Sequence, residues 1–227
     1  MNKKWRSLAL MLGISLCVPM TNLQAAGEPM ELDADTVEYN MSDGQAVATG
    51  NVLLKNGTSR VAGAKATYNS KTQAAEVEGN VVAIRDSLRI TCARIATDGQ
   101  ERMVATGNVE GVDGDKHFSG EQVEYYPNQN KYVLIPTGGT IVSATDSFKA
   151  NKIEGWLDEE HYIGTGDVHI SSQVRDLVAG AEQADYYGKD SGKVVLSGNA
   201  WAMQDNNTLK SNRLTIYLAD DGQAKVK

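Results

Sequence analysis

The chain has 227 residues and an acidic balance, with 22 Lys and Arg against 29 Asp and Glu, for a formal net charge of −7. This balance disfavours binding to a nucleic-acid backbone, which requires clustered Lys and Arg, and no nucleic-acid partner is expected. Only two cysteines are present, so a disulfide-rich scaffold is excluded.

The first 26 residues have the pattern of a Sec signal peptide. A short basic opening that contains Lys3, Lys4 and Arg6 precedes an apolar run over residues 7–20, and Ala25-Ala26 offers a cleavage site. An uncleaved anchor is the alternative. Cleavage would leave 19 basic against 29 acidic residues, a net charge of −10, and predicts a periplasmic protein with one domain over residues 27–227.

A repeat of about thirty residues runs through the rest of the chain. The tripeptide Gly-Asn-Val begins at Gly50, Gly79 and Gly107, and looser copies follow at Gly139, Gly166 and Gly198. These glycines are 27 to 32 residues apart. Such a period indicates a stack of one supersecondary unit, here in seven copies.

The first half of each repeat reads apolar, any, small, any, any, apolar, any, aromatic. The second copy shows it as Val61, Gly63, Ala66 and Tyr68. Steps of two are typical of a strand, but the step of three between the small residue and the next apolar residue reverses the inward face. We therefore predict a bulge or corner at this step in every repeat.

The second half of each repeat is predicted to alternate cleanly, with small or apolar residues inward and polar residues outward. Turn sequences such as Asp98-Gly99 and Asp113-Gly114 join the two halves. Helical periodicity is absent after residue 27. In the fourth repeat, Pro136 occupies a position where a ladder donor would lie, which predicts an irregular or edge strand.

The inward residues are small for a sheet core, with many Ala and Gly and only two Phe in the chain. Two interpretations remain open: either the layers approach closely, or they leave an apolar groove for an aliphatic ligand. The candidate lipid-binding residues are Val37, Val52, Leu54, Val81, Ile95, Val109, Val123, Ile141, Ile153, Val168, Ile170, Leu196 and Leu214.

Both ends of a linear stack have strands with free backbone groups, which can accept a strand from another molecule. The candidate stacking residues are Leu32, Ala34 and Val37 at the first end and Leu214, Ile216 and Leu218 at the last. No capping element is recognisable behind Leu218, although residues 219–227 could instead fold back as a charged shield.

Nothing in the sequence favours an enzyme, a metal site or a cofactor. His117, His161 and His169 fall at different positions of the repeat, and His161 and His169 are eight residues apart on one strand, too far to share a metal ion. Cys92 occupies an inward small position, where a core thiol is expected rather than a nucleophile.

The first-half copies at residues 34–39 and 180–186, followed by the Gly-Asn-Val strands, resemble the OstA-like family of periplasmic lipopolysaccharide transport proteins. The resemblance covers residues 30 to 218. It implies an all-β fold, a slightly twisted β-jelly roll that is V-shaped in section, with about 14–16 antiparallel strands from seven repeats.

The resemblance also implies a function and partners. Family members hold the acyl chains of lipopolysaccharide inside the groove and stack end to end, with LptC-like proteins on the inner-membrane side and LptD-like proteins on the outer side. Self-association through the same edges is expected. The alternative is a structural or adhesive β-stack without lipid cargo, which the repeats predict equally well.

Overall fold

A computed structural model describes residues 31–99, 101–218 and 224–226. The predicted signal peptide lies outside these residues. The described chain forms two compact units, an N-terminal unit of residues 31–114 and 119–129 and a C-terminal unit that contains residues 115–118 and the described part of 130–226. The single domain predicted over residues 27–227 stays a prediction.

The N-terminal unit is an antiparallel meander. Its first strand, β1, pairs with β3 at one end of β3, and β2 pairs with the other end. From β3 to β7 each strand pairs with the next. The strands are β1 Glu31–Asp33, β2 Thr36–Asn40, β3 Gln45–Asn56, β4 Ser59–Asn69, β5 Ala75–Arg85, β6 Leu88–Thr97 and β7 Met103–Asp113, followed by β8 Lys116–Tyr126, which contributes residues to both units.

The C-terminal unit contains the remaining elements. These are β9 Tyr132–Ile135, β10 Gly139–Val142, β11 Asp146–Ala150, β12 Lys152–Trp156, β13 His161–Ser172, β14 Leu177–Tyr187, the one-turn helix α1 Gly188–Ser191, β15 Lys193–Gln204, β16 Asn207–Leu218 and β17 Ala224–Val226. The strand β13 pairs with both β11 and β12, and β13 to β17 form consecutive antiparallel pairs. No helix among the described residues is long and apolar enough to cross a membrane.

A register shift occurs at the predicted step of three, but the extra residue lies on the partner strand rather than on the strand for which the bulge was predicted. In the pair β3 and β4, Gly50 and Asn51 together lie opposite the single residue Ala64, so the register shifts there. Similar shifts occur in the ladders on both sides of β14 and between β5 and β6. Two residues opposite one are a β-bulge, which bends the strand.

The clean alternation predicted for the second half of the repeat is wrong at its central dipeptide. Gly79 and Asn80 both have a positive φ, +86° and +50°, so the ladder is interrupted where alternation was expected. A Cβ atom on Gly79 would lie 2.6 Å from the Cβ of Ala64 on the neighbouring strand. Glycine is therefore required there by both the backbone conformation and the close approach.

Turn chemistry explains the hairpins between the long strands. Asp86, Gly114 and Asp205 each open a two-residue connection with a positive φ, as expected of residues that tolerate the left-handed region. The break predicted in the fourth repeat is confirmed, because Pro136 lies in the gap between β9 and β10. The all-β, antiparallel class is likewise confirmed, with 17 strands in the described residues, slightly more than the 14–16 predicted.

Candidate functional site

An apolar cavity lies within the C-terminal unit. It has about 1020 Å³ of empty space, part of which is open to solvent. Only about 100 Å³ of it is wide enough to admit water, against roughly 300–1,000 Å³ for typical ligand sites, so the cavity must widen to hold an acyl chain. The apolar lining residues are Ile141, Val142, Phe148, Ile153, Tyr162, Ile170, Leu177, Ala184, Tyr186, Val194, Ile216 and Leu218.

Aromatic rings over glycines shape the walls of this cavity. The position where Gly164 would carry a Cβ atom is occupied by the ring of Phe148. Gly155 similarly accommodates the ring of Tyr162, at 2.8 Å. The Tyr162 and Tyr186 rings stack with their centroids 6.0 Å apart on the paired strands β13 and β14. Burial raises the pKa of the Tyr162 hydroxyl, which keeps it neutral.

Polar residues collect at one end of the cavity. Going towards the end of β13, Phe148 faces Ile170, Ser147 faces Ser171, and Asp146 faces Ser172. The Oγ atoms of Ser147 and Ser171 are 2.8 Å apart. The lining therefore changes from apolar to polar towards the start of β11 and the end of β13, as an amphipathic ligand would require.

Asp146 and Arg175 form the innermost polar pair at this end. Both side chains are only 9% exposed, and Arg175 Nη1 lies 3.9 Å from Asp146 Oδ1. Arg175 Nη1 also donates to Ser172 Oγ at 3.3 Å, and Asp146 Oδ2 accepts from Thr145 Oγ1 at 3.0 Å. Asp146 Oδ1 and Arg175 Nε are buried and have no hydrogen-bond partner.

The N-terminal unit has a depression of a different kind. Its lining is largely polar and includes Glu76, Arg94 and Arg102. Arg94 donates to both carboxylate oxygens of Glu76, each at 2.5 Å, and these bonds hold the pKa of Glu76 below its usual range. Arg102 donates to Glu124 Oε2 at 3.0 Å. The arginines of this depression are engaged by neighbouring carboxylates, as on a solvated sheet face.

Comparison with known proteins identifies the family. The sequence model of the family described as LptA/(LptD N-terminal domain) LPS transport protein matches residues 31–161. The chain belongs to this family. The resemblance to OstA-like lipopolysaccharide transport proteins is therefore confirmed, and the family is one of transport proteins rather than enzymes.

One solved structure among the matches is LptH, titled the LptA homologous periplasmic component of the lipopolysaccharide transport device from Pseudomonas aeruginosa. It is 16% identical and has a TM-score of 0.30, and the match covers 61% of this chain and 83% of that chain. No curated protein matches this member of the LPS transport family.

The lipid-binding residues predicted in the C-terminal unit fall into two groups. Ile141, Ile153 and Ile170 line the cavity. The others, Val168, Leu196 and Leu214, are buried outside its lining. The matched region of the LPS transport family ends at residue 161, so much of the cavity wall, from β13 to β16, lies beyond it.

The residues predicted in the N-terminal unit are mostly sealed in its core. Val52, Val81 and Val109 are each 1% exposed. Ile95 and Val123 are also buried, Leu54 is half-buried, and Val37 is 50% exposed on β2.

Several cavity residues were not among the predicted site residues. Phe148, Tyr162, Ala184, Tyr186 and Val194 occupy inward positions of the repeat, so the pattern contained the signal for them. The polar pair of Asp146 and Arg175 gave no such signal, since both lie near turns. Across the described parts of the chain, no group of three or more His, Cys, Asp or Glu side chains is placed to hold a metal ion.

The predicted stacking residues lie at strand edges with different degrees of cover. Leu32 and Ala34 are half-buried. At the other end Leu214 and Ile216 are buried and Leu218 is half-buried. The strand β17 pairs with Ile216, Tyr217 and Leu218, so for these three residues the structure has the alternative of a tail that folds back rather than an uncapped end.

Proposed function

We propose that this protein carries lipopolysaccharide through the periplasm with acyl chains held in the cavity of the C-terminal unit. The observation that carries the proposal is the apolar lining, which spans four isoleucines and three aromatic rings. Each buried CH₂ group contributes about 0.8 kcal/mol, so even part of an acyl chain gains substantial free energy there.

The location follows from the predicted signal peptide. We propose export through Sec and cleavage near Ala25 and Ala26. The intact mass of protein purified from the periplasm tests this directly, because cleavage after Ala26 would leave Gly27 as the first residue. A full-length mass in the membrane fraction would contradict it and favour an uncleaved anchor.

Photocrosslinking on one strand tests the cavity. Ile170 is half-buried and lines the cavity, whereas its neighbour His169 is exposed. A photoreactive residue at position 170 should form lipopolysaccharide adducts in cells, and the same residue at position 169 should not. Equal labelling at both positions, or none at 170, would contradict the carrier and leave a structural stack without cargo.

We further propose end-to-end assembly through terminal strands, with LptC-like and LptD-like proteins and with further copies of the chain. Within its own unit and among the described residues, β2 pairs only with β3, and all five of its residues are exposed. In β16, residues 207–213 are exposed, and they precede the part of the strand that pairs with β17. Edges of this kind accept an added strand.

Substitutions on β2 test the assembly. Val37→Asp together with Tyr39→Asp should shift gel filtration towards monomer across a concentration series, because both exposed side chains lie on the strand proposed as the assembly edge. Met41→Asp is the matched control, since Met41 is exposed just beyond the strand. The same elution for all three proteins would reject β2 as an assembly edge.

A further inference from the structure

The buried pair of Asp146 and Arg175 has one free donor and one free acceptor. Buried polar atoms are almost always hydrogen-bonded, and one without a partner costs roughly 1–3 kcal/mol. Here Asp146 Oδ1 and Arg175 Nε lack partners although their side chains are nine-tenths buried and line the cavity. Such an arrangement requires an explanation.

Local packing holds the pair in this position. The turn before β11 and the turn after β13 are joined by the Gln173 amide, which donates to the Thr145 carbonyl at 2.8 Å. The side chain of Gln204, at the end of β15, donates to the Arg175 carbonyl at 3.0 Å. These bonds fix the backbone around both residues, and the side chains are held by Thr145, which donates to Asp146, and by Ser172, which accepts from Arg175.

The chemistry of the free atoms specifies a ligand group. A carboxylate oxygen accepts a hydrogen bond, and the Nε–H of arginine donates one. A hydroxyl group does both at once, since its O–H donates while its oxygen accepts. A second carboxylate or a phosphate matches poorly, because it would offer no donor to Asp146 and would be repelled by it.

We propose that this end of the cavity binds an acyl chain that carries a hydroxyl group near its polar end. The hydroxyl donates to Asp146 Oδ1 and accepts from Arg175 Nε, while the chain extends past Phe148 and Ile170 towards Tyr162. Both polar atoms are shielded from water, so the lining must yield as the chain enters. This inference rests on the proposed function, since it names the class of chain that the same cavity selects.

Two probes of equal chain length test the selection on the whole exported protein. Methyl tetradecanoate and methyl 3-hydroxytetradecanoate differ only in the hydroxyl group and carry no charge that Asp146 would repel, and calorimetric titration gives both affinities. We expect the hydroxylated chain to bind roughly tenfold more tightly, in line with hydrogen bonds to charged groups. Equal affinities would overturn the inference and leave the carrier intact, whereas binding of neither probe would overturn both.

Variants locate the preference. The double substitution Asp146→Leu and Arg175→Met removes both charges together, which avoids an unpaired buried charge. It should bind both chains with the affinity that the native protein has for the plain one. The control is Glu76→Gln with Arg94→Met, a paired removal on the outer face of the N-terminal unit, which should keep the tenfold preference. A preference that survives the Asp146 and Arg175 double substitution would overturn the assignment, and the wild-type comparison decides the matter alone if that variant does not fold.

Discussion

The two units are built from the same repeat, yet only the C-terminal unit has an apolar cavity among the sites described above. Ala66 in the N-terminal unit and Ala184 in the C-terminal unit hold the same position of the repeat, and both are buried. Ala184 lines the cavity, whereas the residues around Ala66 belong to a sealed core.

The difference lies in what fills the space above the inward glycines. A Cβ atom on Gly63 would lie 2.6 Å from Val77 Cγ1, so a short, stiff side chain occupies that space. Above Gly164 the ring of Phe148 occupies it instead. A phenylalanine ring reaches farther from its strand than a valine side chain does, and it leaves space beside it unfilled. The larger side chain in the C-terminal unit is therefore found together with more empty space.

The largest expected effect comes from the matched alanines. Ala66→Leu should lower the free energy of unfolding by about 2–3 kcal/mol, because three extra carbon atoms enter a filled core. Ala184→Leu should cost under about 1 kcal/mol, because the new side chain extends into the cavity, and it should reduce lipid adducts at position 170. Urea denaturation measures the difference in the free energy of unfolding between the two variants, and equal losses at both sites would contradict the contrast between the units.

The inward glycines should show the same contrast at a smaller scale. Gly63→Ala should cost about 2 kcal/mol, because Val77 and the Glu78 carbonyl oxygen, 3.0 Å away, cannot both retreat. Gly164→Ala should cost about 1 kcal/mol, because the Phe148 ring can tilt into the cavity. Thermal unfolding with crosslinking at position 170 measures both effects, and full retention of adducts in Gly164→Ala would argue against Phe148 as a wall of the site.

Buried carboxylates allow a comparison by pH. Burial raises the pKa of Glu124, but hydrogen bonds from Tyr126, Arg102 and Gln122 outweigh it and bring the pKa below its ordinary value of 4.5. The carboxylate therefore stabilises the fold above pH 4.5, and this contribution is lost as the pH falls through the lowered pKa. Glu124→Gln should cost about 1–2 kcal/mol at pH 7 and less at pH 3.

In the C-terminal unit, the loss of stability caused by Glu154→Gln should be smaller than that caused by Glu124→Gln. The pKa of Glu154 is also lowered, with burial opposing the hydrogen bonds from Lys152 and Tyr132. The Glu154 side chain is 19% exposed, against 8% for Glu124. Water can therefore take over more of the hydrogen bonds that the substitution removes. Urea unfolding of Glu154→Gln at both pH values is the check, and a cost that grows at low pH in either variant would contradict the sign.

The last prediction concerns the reactivity of Cys92, in the sealed core, rather than stability. Burial raises the pKa of the Cys92 thiol to about 11, although its backbone hydrogen bonds lower it slightly. Because the thiolate is the reactive form, alkylation of the folded protein at pH 8 should be about 100-fold slower than that of the unfolded chain. Peptide mass spectrometry reads the site, and rapid labelling would show that the N-terminal core opens far more readily than its packing implies.

Local features of the molecule could be predicted from the sequence because neighbouring residues determine them. The step of three between Gly63 and Ala66 gave the position of the register shift, and Pro136 gave the broken strand of the fourth repeat. The left-handed pair at Gly79 and Asn80 was missed, because strand alternation continues on either side of it and hides the interruption.

The content of the core could not be predicted from the repeat. Val81 and Ile141 looked alike as inward residues, but one is sealed and the other lines the cavity. The cover that β17 gives to the last strand was equally undecided, since residues 219–227 fitted both an open end and a folded-back tail.

The sequence by itself determined the repeat, the strands, their bends and the family, because each depends on residues that are close along the chain. The tertiary structure alone decided where the interior stays open and which polar atoms remain unpaired inside it. Empty space depends on the summed volumes of side chains from distant strands, such as Ile141 and Ile216, and no pattern within one repeat contains that sum.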